Sequence, residues 1–155
     1  GMPSENRIPS LAEMTNMAVE SLSSNENGFF LMVEGSQIDW GGHANETPYV
    51  VREVKDFDDA IGVVLAFAQE NPGTLVIITA DHETGGMTIN GVNRENTVVD
   101  IAWTSTGHTG TPIPLMAYGP HAVEFSGWWD NTDIGKKVAD LLGFENFPLI
   151  ISADN

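Results

Sequence analysis

The chain contains no cysteine, few basic residues and no long apolar segment. Without cysteine, disulfides and thiolate metal sites are excluded, and the redox compartment stays open. Lys and Arg together number 6 against 22 Asp and Glu, which gives a net charge of −16 over 155 residues. Nucleic acid is therefore excluded as a specific partner, because phosphate backbones are bound by clustered basic side chains.

No apolar run approaches the ~20 residues that a membrane-spanning helix needs. Residues 2–9 are too polar to form a signal peptide. The hydrophobic content of 41% and the charged content of 18% are typical of one globular domain. Because the chain is strongly acidic, we expect it to act on an anionic substrate only if bound cations make the electrostatic potential positive at the site.

Apolar residues at helical spacing predict three helices. The first, over 11–23, opens with a capping-box pattern. A longer amphipathic helix is predicted after a loop at 35–47, and the Asn-Pro-Gly sequence at 71–73 should terminate it. The last is predicted over 132–142, where Gly143 stops it.

Three apolar segments predict strands, at 29–33, 74–80 and 114–118. Because a long helix separates the first two, they form a βαβ unit, which implies parallel pairing. Residues 84–107, which are rich in Gly, Asn and Thr, are expected to make a short excursion from the main sheet. The predicted fold class is α/β, with a mostly parallel sheet flanked by helices.

Potential metal ligands lie next to these strands. Three of the four histidines have glycine or a carboxylate beside them. In open α/β sheets, ligands bind outside the carboxyl ends of the strands, so we expect these polar groups to converge on one rim. Imidazole and carboxylate without thiolate predict a hydrolytic zinc site. The six candidate ligands are Glu34, Asp39, His43, Asp81, His82 and His108.

The spacing of Asp39 and His43 fits two local structures. The two could lie on one face of a helix, but the intervening Gly41 and Gly42 favour a tight turn. Any one of these stretches alone is also typical of a hydrogen-bonded turn, so the prediction depends on their combination. His121 has no such neighbours and is assigned to the surface or to loop packing.

Three segments together resemble the C-terminal part of the bacterial-type alkaline phosphatases. They are FFLMVEGSQIDWGGH at 29–43, VIITADHETGG at 76–86 and GHTG at 107–110. The resemblance implies an alkaline phosphatase-like α/β/α sandwich, of which residues 2–155 form the C-terminal metal-binding part. It also implies hydrolysis of phosphate monoesters, with inorganic phosphate as a ligand, and a periplasmic or extracellular location.

The resemblance implies a centre of two Zn²⁺ and one Mg²⁺. Asp39, His43 and His108 match ligands of the first zinc, Asp81 and His82 match ligands of the second, and Glu34 matches a magnesium ligand. No catalytic residue is expected in this chain, because the family's serine nucleophile and phosphate-clamping arginine have no counterpart in it. We therefore expect the chain alone to be inactive. Since half of the family's sheet is missing, we also expect an exposed apolar face or strand edge that favours a homodimer.

Two alternatives stay open from the sequence. One is a stand-alone zinc-binding module that descends from a phosphatase and lacks catalysis, and the length of the gene upstream of Met2 would distinguish it. The other is an α/β domain without metal, whose histidines only satisfy turns. Metal analysis together with the effect of chelation on stability would decide the second case.

Overall fold

The structure is a computed structural model that describes residues 6–95 and 98–148. In chain order, its elements are α1 (Leu11–Leu22), α2 (Gln37–His43), α3 (Thr47–Glu70), β1 (Val76–Ile78), β2 (Glu83–Thr84), β3 (Thr88–Asn93), β4 (Val98–Ala102), β5 (His108–Thr109), β6 (Met116–Tyr118), a 3₁₀ helix (Ala122–Phe125) and α4 (Asn131–Leu141). Within the described ranges, no helix is both long and apolar enough to cross a membrane.

Helix α1 begins at the capping box that the sequence predicts. The Ser10 Oγ accepts a hydrogen bond from the backbone N–H of Glu13 at 3.2 Å, and the Glu13 carboxylate accepts one from the backbone N–H of Ser10 at 2.7 Å. Each bond satisfies a donor that the helix itself leaves without a partner. The buried face of α1, with Thr15 and Val19, packs on α3.

Helix α3 is the scaffold on which α1 and α2 both pack. It ends at Glu70, and the backbone N–H of Asn71 closes the last turn on the Phe67 carbonyl at 2.9 Å. The helix predicted after the 35–47 loop is thus confirmed, together with its termination. One buried residue of its inner face is charged: Glu53, whose carboxylate lies 2.8 Å from the Arg7 guanidinium.

Part of the loop predicted at 35–47 is the helix α2, so the preference for a tight turn is wrong. Both glycines lie inside this helix. Glycine suits these two positions because neighbouring atoms leave no room for a side chain. A Cβ at Gly41 would lie 2.9 Å from Cγ2 of Val50, and a Cβ at Gly42 would lie 2.9 Å from the Thr84 carbonyl oxygen. Close packing therefore offsets the helix-propensity cost of about 1 kcal/mol for each glycine.

The strands do not form the predicted, mostly parallel sheet. In the described part of the chain they form three separate antiparallel pairs, β1 with β6, β2 with β5 and β3 with β4. In the first pair, Val76 lies opposite Tyr118. A continuous apolar run shows that a segment is buried, but it does not encode the direction of its neighbour.

The segment at 29–33 is not assigned as a strand and pairs with no other strand among the described residues. Its burial nevertheless alternates with period two, as in an extended chain. Phe30 and Met32 are 64% and 78% exposed, whereas Phe29 packs near Phe67 of α3. The prediction that 29–33 is a strand buried on both faces, paired in parallel with 74–80, is therefore wrong for the described residues.

Within the range 84–107, which is predicted to be a short excursion, β3 and β4 form an antiparallel pair with an irregularity between Ile89 and Gly91. That this range is an excursion from a main sheet stays a prediction. Further along the chain, the Asp130 carboxylate caps α4 by accepting the backbone N–H of Thr132 at 3.0 Å. Helix α4 ends one residue before the predicted limit, and Gly143 follows with a φ of 77°. That left-handed conformation is the usual way for glycine to terminate a helix.

Candidate metal centre

Two packed elements bring three of the predicted ligands together. Asp39 and His43 are one turn apart on α2, so their side chains project from the same face. His108 opens β5, where it lies opposite Thr84 of β2. Because Gly42 of α2 packs directly on Thr84, the face that carries Asp39 and His43 meets the β2–β5 pair.

The ligand atoms of these three residues form a compact group. The Asp39 Oδ1 lies 3.5 Å from the His43 Nε2 and 3.7 Å from the His108 Nε2. All three ligand atoms lie within 4.8 Å of one another. Zinc bonds of ~2.0–2.1 Å in tetrahedral geometry separate two ligand atoms by about 3.3 Å, so the donor set and its spacing fit a zinc ion.

A second contact fixes the orientation of His43. Its Nδ1 lies 2.6 Å from the carbonyl oxygen of Thr106. A carbonyl only accepts hydrogen bonds, so the Nδ1 carries a proton, and in the neutral ring the Nε2 keeps its lone pair. The Nε2 is the atom nearest to Asp39, as metal binding would require.

Asp81 and His82 lie beside this group. The rings of His82 and His108 are stacked, with centroids 3.4 Å apart and planes inclined by 19°. The His82 Nε2 lies 3.3 Å from the Asp81 Oδ2, and Asp81 is largely exposed. The two residues thus form a second acidic and imidazole pair that adjoins the first group without belonging to it.

Glu34 is the sixth candidate ligand and follows the extended segment at 29–33. It lines a cavity of about 260 Å³ between the start of α1, α2 and α3, together with Arg7, Gln37, Glu53 and Asp56. None of the other five candidate ligands lines that cavity. The convergence of Glu34 with the other five candidate ligands stays a prediction.

Several polar residues of the site were not among the predicted ligands. The Thr84 hydroxyl lies 2.6 Å from the Asp39 Oδ1. The Glu83 carboxylate accepts hydrogen bonds from the backbone N–H of Gly86 and from the Thr109 hydroxyl, which ties β2 to β5. These residues are ordinary members of a polar turn in the sequence, and only tertiary contacts distinguish them. His121 lies apart, 2.7 Å from Glu124, in agreement with its assignment to the surface.

Comparison with known proteins identifies the family. The sequence model described as "Alkaline phosphatase" matches residues 2–99 and 90–144. The chain belongs to the alkaline phosphatase family. It is 33% identical to alkaline phosphatase 3 of Bacillus subtilis (strain 168), an alignment that covers 88% of this chain and 45% of the relative. The alkaline phosphatase of Escherichia coli (strain K12) is 36% identical over 89% of this chain and 33% of its own length.

Solved alkaline phosphatase structures share this fold. The alkaline phosphatase from the Antarctic bacterium TAB5 superposes with a TM-score of 0.84 at 43% identity, covering 94% of this chain and 45% of that one. A variant of the TAB5 enzyme has Mg bound in its M3 site. The chain spans less than half of the length of these alkaline phosphatases. The predicted resemblance to the family is confirmed, and with it an alkaline phosphatase-like fold.

Proposed function

We propose that this chain provides the metal-binding part of an active site that hydrolyses phosphate monoesters. The supporting observation is the Asp39–His43–His108 group, whose Asp39-to-imidazole distances of 3.5 and 3.7 Å suit one zinc ion. Family membership gives this geometry its chemical meaning, because alkaline phosphatases are hydrolases of phosphate monoesters. The chain is proposed to act as one unit, the C-terminal metal-binding part over 2–155.

The proposed assignments follow the two neighbouring ligand sets. The first zinc is held by Asp39, His43 and His108, the second by Asp81 and His82, and a magnesium ion by Glu34. When bound, such ions stabilise charge on phosphoryl oxygens and lower the pKa of water. In the chain itself, the contact of the His43 Nδ1 with the Thr106 carbonyl would leave the lone pair of the His43 Nε2 available to such an ion.

The net charge of the chain supports a need for cations. At −16, the chain by itself repels a phosphate dianion. Divalent cations at the Asp39–His43–His108 group and beside it would reverse the field at the one place where the ester must bind. Phosphate monoesters and inorganic phosphate are therefore the proposed ligands of the loaded centre, and not of the metal-free chain.

The chain alone is proposed to be inactive, because the hydroxyl groups around the ligand sets have structural hydrogen bonds. The Thr84 hydroxyl contacts Asp39, the Thr109 hydroxyl donates to Glu83, and the Ser105 Oγ accepts the backbone N–H of Gly107 at 2.9 Å. We assign these hydroxyls to positioning and not to nucleophilic attack, because two of them donate to carboxylates that belong to the metal group or tie β2 to β5. A nucleophilic serine and an arginine that clamps phosphate are proposed to come from a part of the protein outside these 155 residues.

Zinc titration of the purified chain tests the first assignment. We expect binding of about one zinc equivalent at high affinity, and a loss of more than about 100-fold for His43→Ala and for His108→Ala. His121→Ala is the matched control, because this histidine contacts Glu124 and not the ligand group. Zinc uptake below stoichiometric levels by the wild-type chain, or equal effects of all three substitutions, would contradict the assignment.

Hydrolysis of p-nitrophenyl phosphate tests whether the chain alone is inactive. The zinc- and magnesium-loaded chain should show no turnover above that of the metal solution alone. Turnover comparable to that of complete alkaline phosphatases would show that the nucleophile lies within these residues.

A periplasmic or extracellular location and a homodimer are also proposed. The location is inferred from the family, and the homodimer from the exposed apolar side chains of β3–β4, which sedimentation velocity would test.

A further inference from the structure

Thr84 lies between the two ligand sets and contacts a member of each. Its Oγ1 is 2.6 Å from the Asp39 Oδ1 and 3.2 Å from the His82 Nδ1. Asp39 belongs to the first set and His82 to the second. Both contacts are within hydrogen-bonding distance and partly buried.

The protons of this network can be assigned from what each group is able to donate. A hydroxyl has one proton, and an ionised carboxylate has none. The short contact with Asp39 therefore uses the hydroxyl proton of Thr84. The Thr84 oxygen is then left as an acceptor towards His82, so the Nδ1 of His82 must carry the ring proton. In the neutral ring, its Nε2 then keeps a lone pair, and that is the nitrogen beside Asp81.

We propose that Thr84 is a positioning residue that orients the Asp39 carboxylate and holds His82 in the tautomer whose Nε2 can bind a metal. This inference rests on the proposed function, since it assigns a role within the same metal centre. A single hydroxyl thus links the first ligand set to the second. The role is indirect: Thr84 acts through Asp39 and His82 and does not touch the reacting atoms.

The backbone around Thr84 keeps its hydroxyl in this position. The register of β2 with β5 places Thr84 opposite His108. On the other side, helix α2 approaches so closely that a Cβ on Gly42 would lie 3.0 Å from the Thr84 Cβ and 3.1 Å from its Cγ2. The methyl group of Thr84 therefore faces a helix backbone, and the side chain has little freedom to rotate away from Asp39.

Two substitutions separate the hydroxyl from the methyl group. Thr84→Val keeps the shape and removes the hydrogen bonds, whereas Thr84→Ser keeps the hydroxyl and removes the methyl group. The first readout is zinc affinity, measured by competition with a chromophoric chelator. The second is the tautomer of His82 in the metal-free chain, read from ¹⁵N chemical shifts of its ring. Thermal unfolding of each variant reports whether packing alone has changed.

We expect wild-type His82 to carry its proton on Nδ1. Thr84→Val should lower zinc affinity about 10- to 100-fold and shift His82 towards the Nε2-protonated form, because outer hydrogen-bond partners orient metal ligands. Thr84→Ser should stay close to wild type in both readouts.

The proposal is overturned if wild-type His82 is protonated on Nε2, a result that needs no variant to fold. It is also overturned if Thr84→Val matches wild type, or if Thr84→Ser loses as much affinity as Thr84→Val. Failure of the proposed function looks different: zinc would not bind wild type, or would bind His43→Ala equally well. The ring tautomer of the metal-free chain would still decide the role of Thr84 in that case.

Discussion

The imidazole rings of His82 and His108 are stacked face to face, with centroids 3.4 Å apart. One ring comes from the segment that follows β1 and the other from β5, so the stack joins two parts of the chain that are 26 residues apart. His108 also approaches Asp39, while His82 approaches Asp81. The stack is therefore a direct side-chain contact between the two ligand sets, and a change in one set should be measurable in the other.

We expect His82→Ala to weaken zinc binding at the first ligand set, although His82 is outside it. Without the stacked ring, His108 loses a contact that restricts the orientation of its imidazole. We therefore expect zinc affinity to fall about 10-fold. Asp81→Asn is the matched control, because Asp81 is 84% exposed and contacts His82 rather than His108. Both would be measured with less than one equivalent of zinc. Equal affinities for His82→Ala and wild type would show that the stack does not support His108.

Gly42→Ala should disturb both stability and metal binding. The added Cβ would lie 2.9 Å from the backbone oxygen of Thr84, so α2 and β2 must separate. We expect a loss of about 1–3 kcal/mol in the free energy of unfolding, together with weaker zinc binding. Gly62→Ala in α3 is the control, since nothing lies within 4 Å of its added Cβ. That substitution should stabilise the chain by about 0.5–1 kcal/mol.

Urea unfolding with and without zinc measures these two effects. If Gly42→Ala were as stable as Gly62→Ala, the close approach of α2 to β2 would not require glycine. The close contact at Gly42 also explains why a tight turn was predicted where the structure has helix α2. The low helix propensity of glycine is a local property, whereas the approach of Thr84 to Gly42 is a tertiary contact that no local pattern encodes.

Helices α1, α3 and α4 could be predicted because their signals are local. The capping box at Ser10 and the left-handed Gly143 both lie within a few residues of the helix ends that they mark. Strand pairing could not be predicted in the same way. The run at 74–80 shows apolar character, but its antiparallel partner β6 lies about 40 residues further along the chain, and only the path between them sets its direction.

The candidate metal site also depends partly on local spacing and partly on tertiary contacts. The i, i+4 spacing of Asp39 and His43 indicates that both side chains can reach one ion. The position of His108 depends on the β2–β5 register, which was not predicted, although the resemblance matched His108 to the same ion as Asp39 and His43.

Arg7→Ala should be strongly destabilising, because it removes a positive charge from a buried carboxylate. The side chain of Glu53 is only 3% exposed, and Arg7 approaches both Glu53 and Asp56. Removing one partner of a buried ion pair costs about 3 kcal/mol or more. The control is Lys136→Ala, whose exposed pair with Asp133 should contribute no measurable stability. Similar unfolding midpoints in urea for the two variants would contradict the importance of the buried pair.

The stability of the chain should fall in acid partly through the capping box of α1. The backbone N–H and the hydroxyl of Ser10 donate to the Glu13 carboxylate and lower its pKa from the ordinary value of 4.5. Because the folded-state pKa is below the unfolded-state value, this contribution is fully present above about pH 4.5 and is lost as the pH falls through the folded-state pKa. Glu13→Gln keeps an acceptor for the Ser10 N–H but cannot titrate. Its thermal midpoint should therefore drop less between pH 6 and pH 3 than that of wild type. Parallel pH profiles for the two proteins would show that this cap does not contribute to the acid sensitivity.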